Sequence, residues 1–215
     1  EVIIDMVKKH IGGSNISVLD LGCGKGAVSV KLAKAVRCKV KGIDAVKDFI
    51  DYARNKAKEY AVNNICQFEV GDIRECHEGN YDLVIFGACG DVFGDLDVTV
   101  AKLKTMVKNG GFIIIDDAFR EVHEKIDGYL THEEVIDIFM KSKLELIEED
   151  IVANEDLQEI NDANNRSIAQ RATELKMKYP DKSWLFENYI RKQIEVCKVL
   201  ENQVKCVTCL LRKVE

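Results

Sequence analysis

Val18-Leu19-Asp20-Leu21-Gly22-Cys23-Gly24-Lys25-Gly26 decides the fold: an apolar strand, interrupted by one carboxylate, runs into a turn with glycine at every second position. Such a turn lets the backbone approach a ligand closely, because no Cβ intervenes and positive φ angles are open to it. A helix over Ala27 to about Val36 would then aim its free N–H groups at whatever lies there. Strand, glycine turn and helix together make a nucleotide-type cradle.

Outward from this cradle the chain alternates short apolar runs with amphipathic stretches. Strands are expected at Ser17–Leu21, Lys39–Asp44, Cys66–Val70, Tyr81–Phe86, Gly111–Asp116, Leu144–Val152 and Lys205–Val214. Helices are expected at Val2–Ile11, Ala27–Val36, Lys47–Tyr60, Leu96–Val107 and Thr131–Lys141. Two long charged helices follow over Glu155–Tyr179 and Lys182–Asn202, parted by Tyr179-Pro180-Asp181, where proline disfavours helix in the residue before it. The alternation predicts an α/β, Rossmann-like sheet of seven strands, mostly parallel, with helices on both faces. The late helices read as a cap, residues 155–202, inserted between strands 6 and 7 of a single domain spanning 1–215.

Composition sets limits. The 215 residues are 47% apolar and 32% charged, with net charge −6, which argues against general affinity for nucleic-acid phosphates. No apolar run approaches the roughly 20 residues that span a bilayer. The 8 cysteines do not pair by spacing and suit a reduced, cytoplasmic setting. Cys206 and Cys209 form a CxxC, but residues three apart on a strand face opposite sides, so the pair reads as core.

The glycine turn alone satisfies a loose dinucleotide fingerprint. Three acids narrow it. Asp20 would crowd a pyrophosphate but suits a ligand with an ammonium group; Asp44 suits ribose hydroxyls; Asp72 follows the third strand, where an adenine amine could donate. A single such Asp is more often a cap or turn residue. Three at successive strand ends point to a ligand.

With Val18–Gly26, Ile43-Asp44, Gly71-Asp72-Ile73, Tyr81-Asp82-Leu83-Val84 and Val107–Phe112 in this order, the chain resembles the class I S-adenosylmethionine-dependent methyltransferases, specifically the small-molecule type with a helical insertion before the last strand. The resemblance covers about residues 1–150 and implies an antiparallel last strand. It also implies S-adenosyl-L-methionine as cofactor. Asp20 and the backbone of Gly22, Cys23, Gly24 and Gly26 would hold the methionine end, with Gly87 and Ala88 passing beside it. Asp44, followed by Ala45, would take the ribose. Asp72 would meet the adenine amine, with Ile73 against the ring.

Methyl transfer chiefly requires alignment and exclusion of water, plus a base where the acceptor must lose a proton. The candidates are Asp91, Asp117 and His123. Asp116 and Asp117 also allow a metal-dependent O-methyltransferase, although adjacent Asp residues point different ways and the fourth strand ends without a carboxylate. An NAD-dependent oxidoreductase is the other alternative, disfavoured by Asp20. No metal site is assigned. His132 reads as part of a helix start, Cys89 as packing, and Trp184, Phe186 and Tyr189 as aromatics pinning the insertion or lining an acceptor pocket. The partner expected is a small-molecule acceptor whose identity stays open, as does the oligomeric state.

Overall fold

Ser17–Leu21 (β1) is buried from Val18 onward. It lies inside a seven-stranded sheet in the computed structural model, which describes residues 1–12, 14–124 and 126–215. Lys39–Asp44 (β2) and Tyr81–Phe86 (β4) flank it in parallel; Cys66–Val70 (β3) extends the β2 side and Val107–Arg120 (β5) the β4 side, also in parallel. The full order is β3-β2-β1-β4-β5-β7-β6, with β6 at Leu144–Ile151 and β7 at Val204–Lys213. Val152 N–H donates to Cys206 O and Val214 N–H to Lys143 O, so rising numbers on β6 meet falling ones on β7. Those two strands are antiparallel.

Alternate strand residues point to opposite faces. Val18, Val40, Leu83, Ile85, Ile114 and Leu210 share one buried cluster with Met6 and Val7 and with the helices Ala27–Val36 (α2) and Lys47–Glu59 (α3). Leu96–Met106 (α4) and His132–Lys141 (α5) bury Val100, Leu103, Met106, Val135 and Phe139. The N-terminal helix starts as Val2–Met6 (α1), then widens to a π-helix over Val7–Ile11. His10 there pairs with Glu148 of β6.

The chain divides into two compact units. The first holds Glu1–Asp117, Glu133–Asp150 and Thr208–Glu215; the second holds Ala118–His132 and Ile151–Val207. The second is thus broader than residues 155–202. β5 outruns its expected end at Asp116 because Arg120 N–H donates to Leu130 O at 2.8 Å and Arg120 bridges Thr131. It also begins early: Val107 pairs with Tyr81, and the register then skips to Phe112 opposite Leu83.

Within the second unit, Asn154–Lys178 (α6) and Ser183–Asn202 (α7) form a hairpin with a 3₁₀ turn at Pro180–Lys182. Asn161 Nδ2 donates to Glu201 Oε1 at 2.8 Å, and Lys176 pairs with Glu187 at 2.9 Å, which sets the antiparallel register. Trp184 does not pin this element: it is 64% exposed and Tyr189 59%. On a 3.6-residue helix, Phe186, Ile190 and Cys197 share one side, and Trp184 falls on the opposite one. No described helix is long and apolar enough to cross a membrane.

Candidate functional site

Strand register brings the sequence-predicted residues to one edge of the sheet. Leu21 stands opposite both Ile43 and Phe86, Asp44 opposite Val70, and Phe86 opposite Ile115. The glycine turn, Asp44, Asp72, Gly87 and Asp116 therefore all leave the carboxyl ends of adjacent strands. The strand order reverses between β1 and β4, the place where open α/β sheets hold ligands.

The turn itself is locked by Asp44. Its Oδ2 accepts the Gly24 N–H at 2.9 Å and its Oδ1 the Val46 N–H at 2.8 Å. Cys23 N–H donates to Ile43 O at 3.1 Å, so β2 grips the turn twice. Gly22 and Gly24 both take positive φ, +67° and +52°. Their surroundings differ. A Cβ on Gly22 would overlap Cys89 Sγ, whereas one on Gly24 would meet nothing within 4 Å. Gly24 faces open space and Gly22 faces protein. Gly26 is a packing glycine too, its Cβ position lying 2.9 Å from Ala53 Cβ and 3.0 Å from Phe68 Cζ.

Asp20 does not look into open space. It is 4% exposed, and its Oδ2 accepts the Ser29 hydroxyl of α2 at 2.5 Å. Burial pushes its carboxyl from 3.8 up to about 6; Ser29 offsets part of this, and the charges of Asp116 and Asp44 add to it. Between about pH 4 and 6 the folded chain therefore keeps a proton that the unfolded chain releases. Stability falls as pH climbs through that window and stays lower above it. Asp20→Asn, whose amide oxygen still accepts from Ser29, is expected to gain about 1–3 kcal/mol at pH 8 and nothing near pH 4. Urea melts at both pH values check this; an equal change at both would refute it.

Asp72 is held by a partner that sequence reasoning missed. It accepts Arg74 N–H at 2.9 Å and the Arg74 guanidinium through Nε at 3.0 Å and Nη2 at 2.5 Å, which pulls its carboxyl down to about 2. Ile73 behind it is buried, and Ala45 beside Asp44 is exposed. Cys23 is half-buried, its thiol pushed up by burial and by Asp20. Cys89 bonds Leu21 O and Gly87 O, both at 3.3 Å, tying the ends of β1 and β4 as a packing residue.

The acceptor-side candidates scatter. Asp91 is exposed in the turn after β4, where its carbonyl accepts the Gly94 N–H at 2.9 Å. Asp117 is exposed, and strand alternation turns it away from the face that carries Ile114 and Asp116. His123 is exposed in a loop of the second unit; Arg120 braces that loop, donating to Tyr129 O and Glu124 O, both at 2.9 Å. His132 packs its ring on Phe119 at 4.7 Å. Thr208 was not foreseen: its hydroxyl donates to Asp116 Oδ1 at 2.8 Å.

The chain is similar to known proteins. A malonyl-[acyl-carrier protein] O-methyltransferase of Priestia megaterium is 29% identical over 127 residues, 56% of this chain and 45% of its own. A ubiquinone biosynthesis O-methyltransferase of Shewanella halifaxensis is 30% identical over 128 residues, 59% of this chain and 53% of its own. The chain thus spans about half the length of the curated relatives it matches. Among solved structures, a SAM-dependent methyltransferase from Geobacter sulfurreducens in complex with S-adenosyl-L-homocysteine shares the fold. Its TM-score is 0.83 at 15% identity, over 98% of this chain and 88% of that one. The family model for a methyltransferase domain matches residues 13–166. With its glycine turn, acid-tipped strands and β3-β2-β1-β4-β5-β7-β6 sheet inside or beside that match, the chain belongs to this methyltransferase-domain family.

Proposed function

We propose that the chain is an S-adenosylmethionine-dependent methyltransferase acting on a small-molecule acceptor, in a reducing cytoplasmic setting that suits its eight free thiols. The observation that carries the reading is the Asp44 clasp. One carboxylate orders the glycine turn and still has lone pairs for ribose hydroxyls, while Gly24 opens on the crevice. The residues fit the cofactor, which when bound supplies a methyl group on a positively charged sulfur. Asp20, Asp44 and Asp116 give the crevice negative charge, favouring that cation over the pyrophosphate of NAD. Asp72 would reach an adenine amine only in competition with Arg74. A divalent ion shared by Asp116 and Asp117 finds no support in the geometry, since the two face opposite sides of β5.

Calorimetry with S-adenosylmethionine, S-adenosylhomocysteine and NADH tests this. The first two are expected to bind and NADH not to. Because Asp20 holds a proton up to about pH 6, affinity for the cationic S-adenosylmethionine should rise about tenfold from pH 5 to pH 7. Uncharged at sulfur, S-adenosylhomocysteine should change less. Binding of NADH without S-adenosylhomocysteine would overturn the reading.

A further inference from the structure

At the carboxyl edge of the sheet, Gly87 leaves room for the second oxygen of Asp116. Asp116 shares a strand face with Ile114, the side of the sheet that α1, α2 and α3 cover. Thr208 holds Oδ1 at 2.8 Å, which fixes the carboxylate plane. Oδ2 lies so near Gly87 that a Cβ there would be 2.8 Å from it. Any other residue at 87 would crowd this oxygen. Burial raises the Asp116 carboxyl, partly offset by the Thr208 bond, which favours proton uptake.

The second observation is a cavity. Thr208 lines a space of about 220 Å³ with Glu1, with Val2, Ile3 and Ile4 of α1, and with Ala27, Val28 and Lys31 of α2. It is mostly apolar and smaller than the ~300 Å³ of ordinary ligand pockets, so it suits one small organic body. Besides the charged Glu1 and Lys31, its polar lining residue is Thr208, whose hydroxyl holds Asp116. Ala27 also opens the helix that follows the glycine turn, three residues after Gly24.

We propose that Asp116 is the acceptor-side base of this site, that Thr208 is its positioning residue, and that the α1–α2 cavity receives the apolar body of a small acceptor with a protic O–H or N–H nucleophile. The proposal rests on the methyl-transfer reading and names the acceptor class within it. The acceptor's lone pair forms the new bond to carbon. The methyl–sulfur bond breaks with its electron pair left on sulfur, and the nucleophile's proton passes to Asp116 Oδ2, so charge and atoms balance. Asp91, Asp117 and His123 take no part.

The test uses the full chain saturated with S-adenosylhomocysteine and three probes: 4-methylphenol, benzylamine and toluene, followed by ligand-observed NMR. The two protic probes are expected to bind at least about tenfold tighter than toluene. Asp116→Leu should erase that preference. Thr208→Val, matched in shape and safe for folding, should reduce it about threefold to tenfold, which a purely structural threonine would not do. Ala27→Phe, at an exposed position, should weaken all three probes by filling the cavity. Absence of binding by every probe, or a preference that survives Asp116→Leu, overturns the proposal. So does an Asp116→Leu variant that loses S-adenosylhomocysteine but keeps the probe preference, for Asp116 would then serve the donor. A wild-type chain that fails to bind S-adenosylhomocysteine defeats the donor reading instead, and the probes, run without it, still report on the cavity.

Discussion

Asp44→Ala is expected to weaken S-adenosylhomocysteine binding at least about 100-fold, near 3 kcal/mol, while lowering the melting temperature by only a few degrees. The carboxylate does two things at once. It accepts Gly24 N–H at 2.9 Å and Val46 N–H at 2.8 Å, and on the proposed reading its remaining lone pairs take the ribose hydroxyls. Charge-assisted bonds of this kind are worth about 1.5–3 kcal/mol each where water is kept out. Asp44 is only half-buried, so in the variant the freed N–H groups can turn to solvent and global stability drops little. Binding has no such relief, because the turn loses its anchor and the ligand its acceptor together. Asp44→Asn keeps one acceptor oxygen and should fall between, at about tenfold. Calorimetry paired with thermal melts on the three proteins measures both quantities. An affinity within about threefold of wild type in Asp44→Ala would remove the clasp from the binding account.

The difference between Asp44 and its neighbours shows what the sequence could carry. Strand, glycine turn and helix were legible because each obeys local rules: apolar β-formers, glycines at alternate positions, then a helical period. The acids at 20, 44 and 72 were legible as positions for the same reason, and strand register does bring them to one edge. Their partners were not. Ser29 on Asp20, Arg74 on Asp72 and Thr208 on Asp116 are side-chain choices made in space, and the last joins residues far apart in the chain. Alternation did carry one usable signal: in Ile113-Ile114-Ile115-Asp116-Asp117 the two acids must face opposite ways. Which of them faces the α1–α3 side is decided by Ile114 packing there, and an all-apolar run reveals no such polarity. Asp117 therefore stood with Asp91 and His123 among the expected bases, where the proposal above assigns Asp116. Trp184 failed for a related reason. Its size suggested an anchor, but its angular position on α7 sets it opposite the packed side of Phe186.

The glycine turn separates fold from function within three residues. Gly22→Ala is expected to cost about 2–4 kcal/mol of stability, because its Cβ would occupy the volume of Cys89 Sγ and its φ of +67° disfavours any side chain. Removing the sulfur should restore the steric part. In the Gly22→Ala/Cys89→Ala pair only the backbone strain of about 1 kcal/mol should remain, giving a favourable coupling of about 1–2 kcal/mol in a double-mutant cycle. Gly24→Ala shares the strain, with φ of +52°, but its Cβ would meet nothing within 4 Å. Its stability loss should stay near 1 kcal/mol, while its methyl group intrudes on the crevice and weakens S-adenosylhomocysteine by about 30-fold or more. Denaturant unfolding of the four variants and wild type reads the first set of energies, and calorimetry the second. Additive losses for Gly22 and Cys89 would mean the sulfur is not what Gly22 accommodates. Unchanged affinity in Gly24→Ala would mean that the open side of the turn is not where the ligand lies.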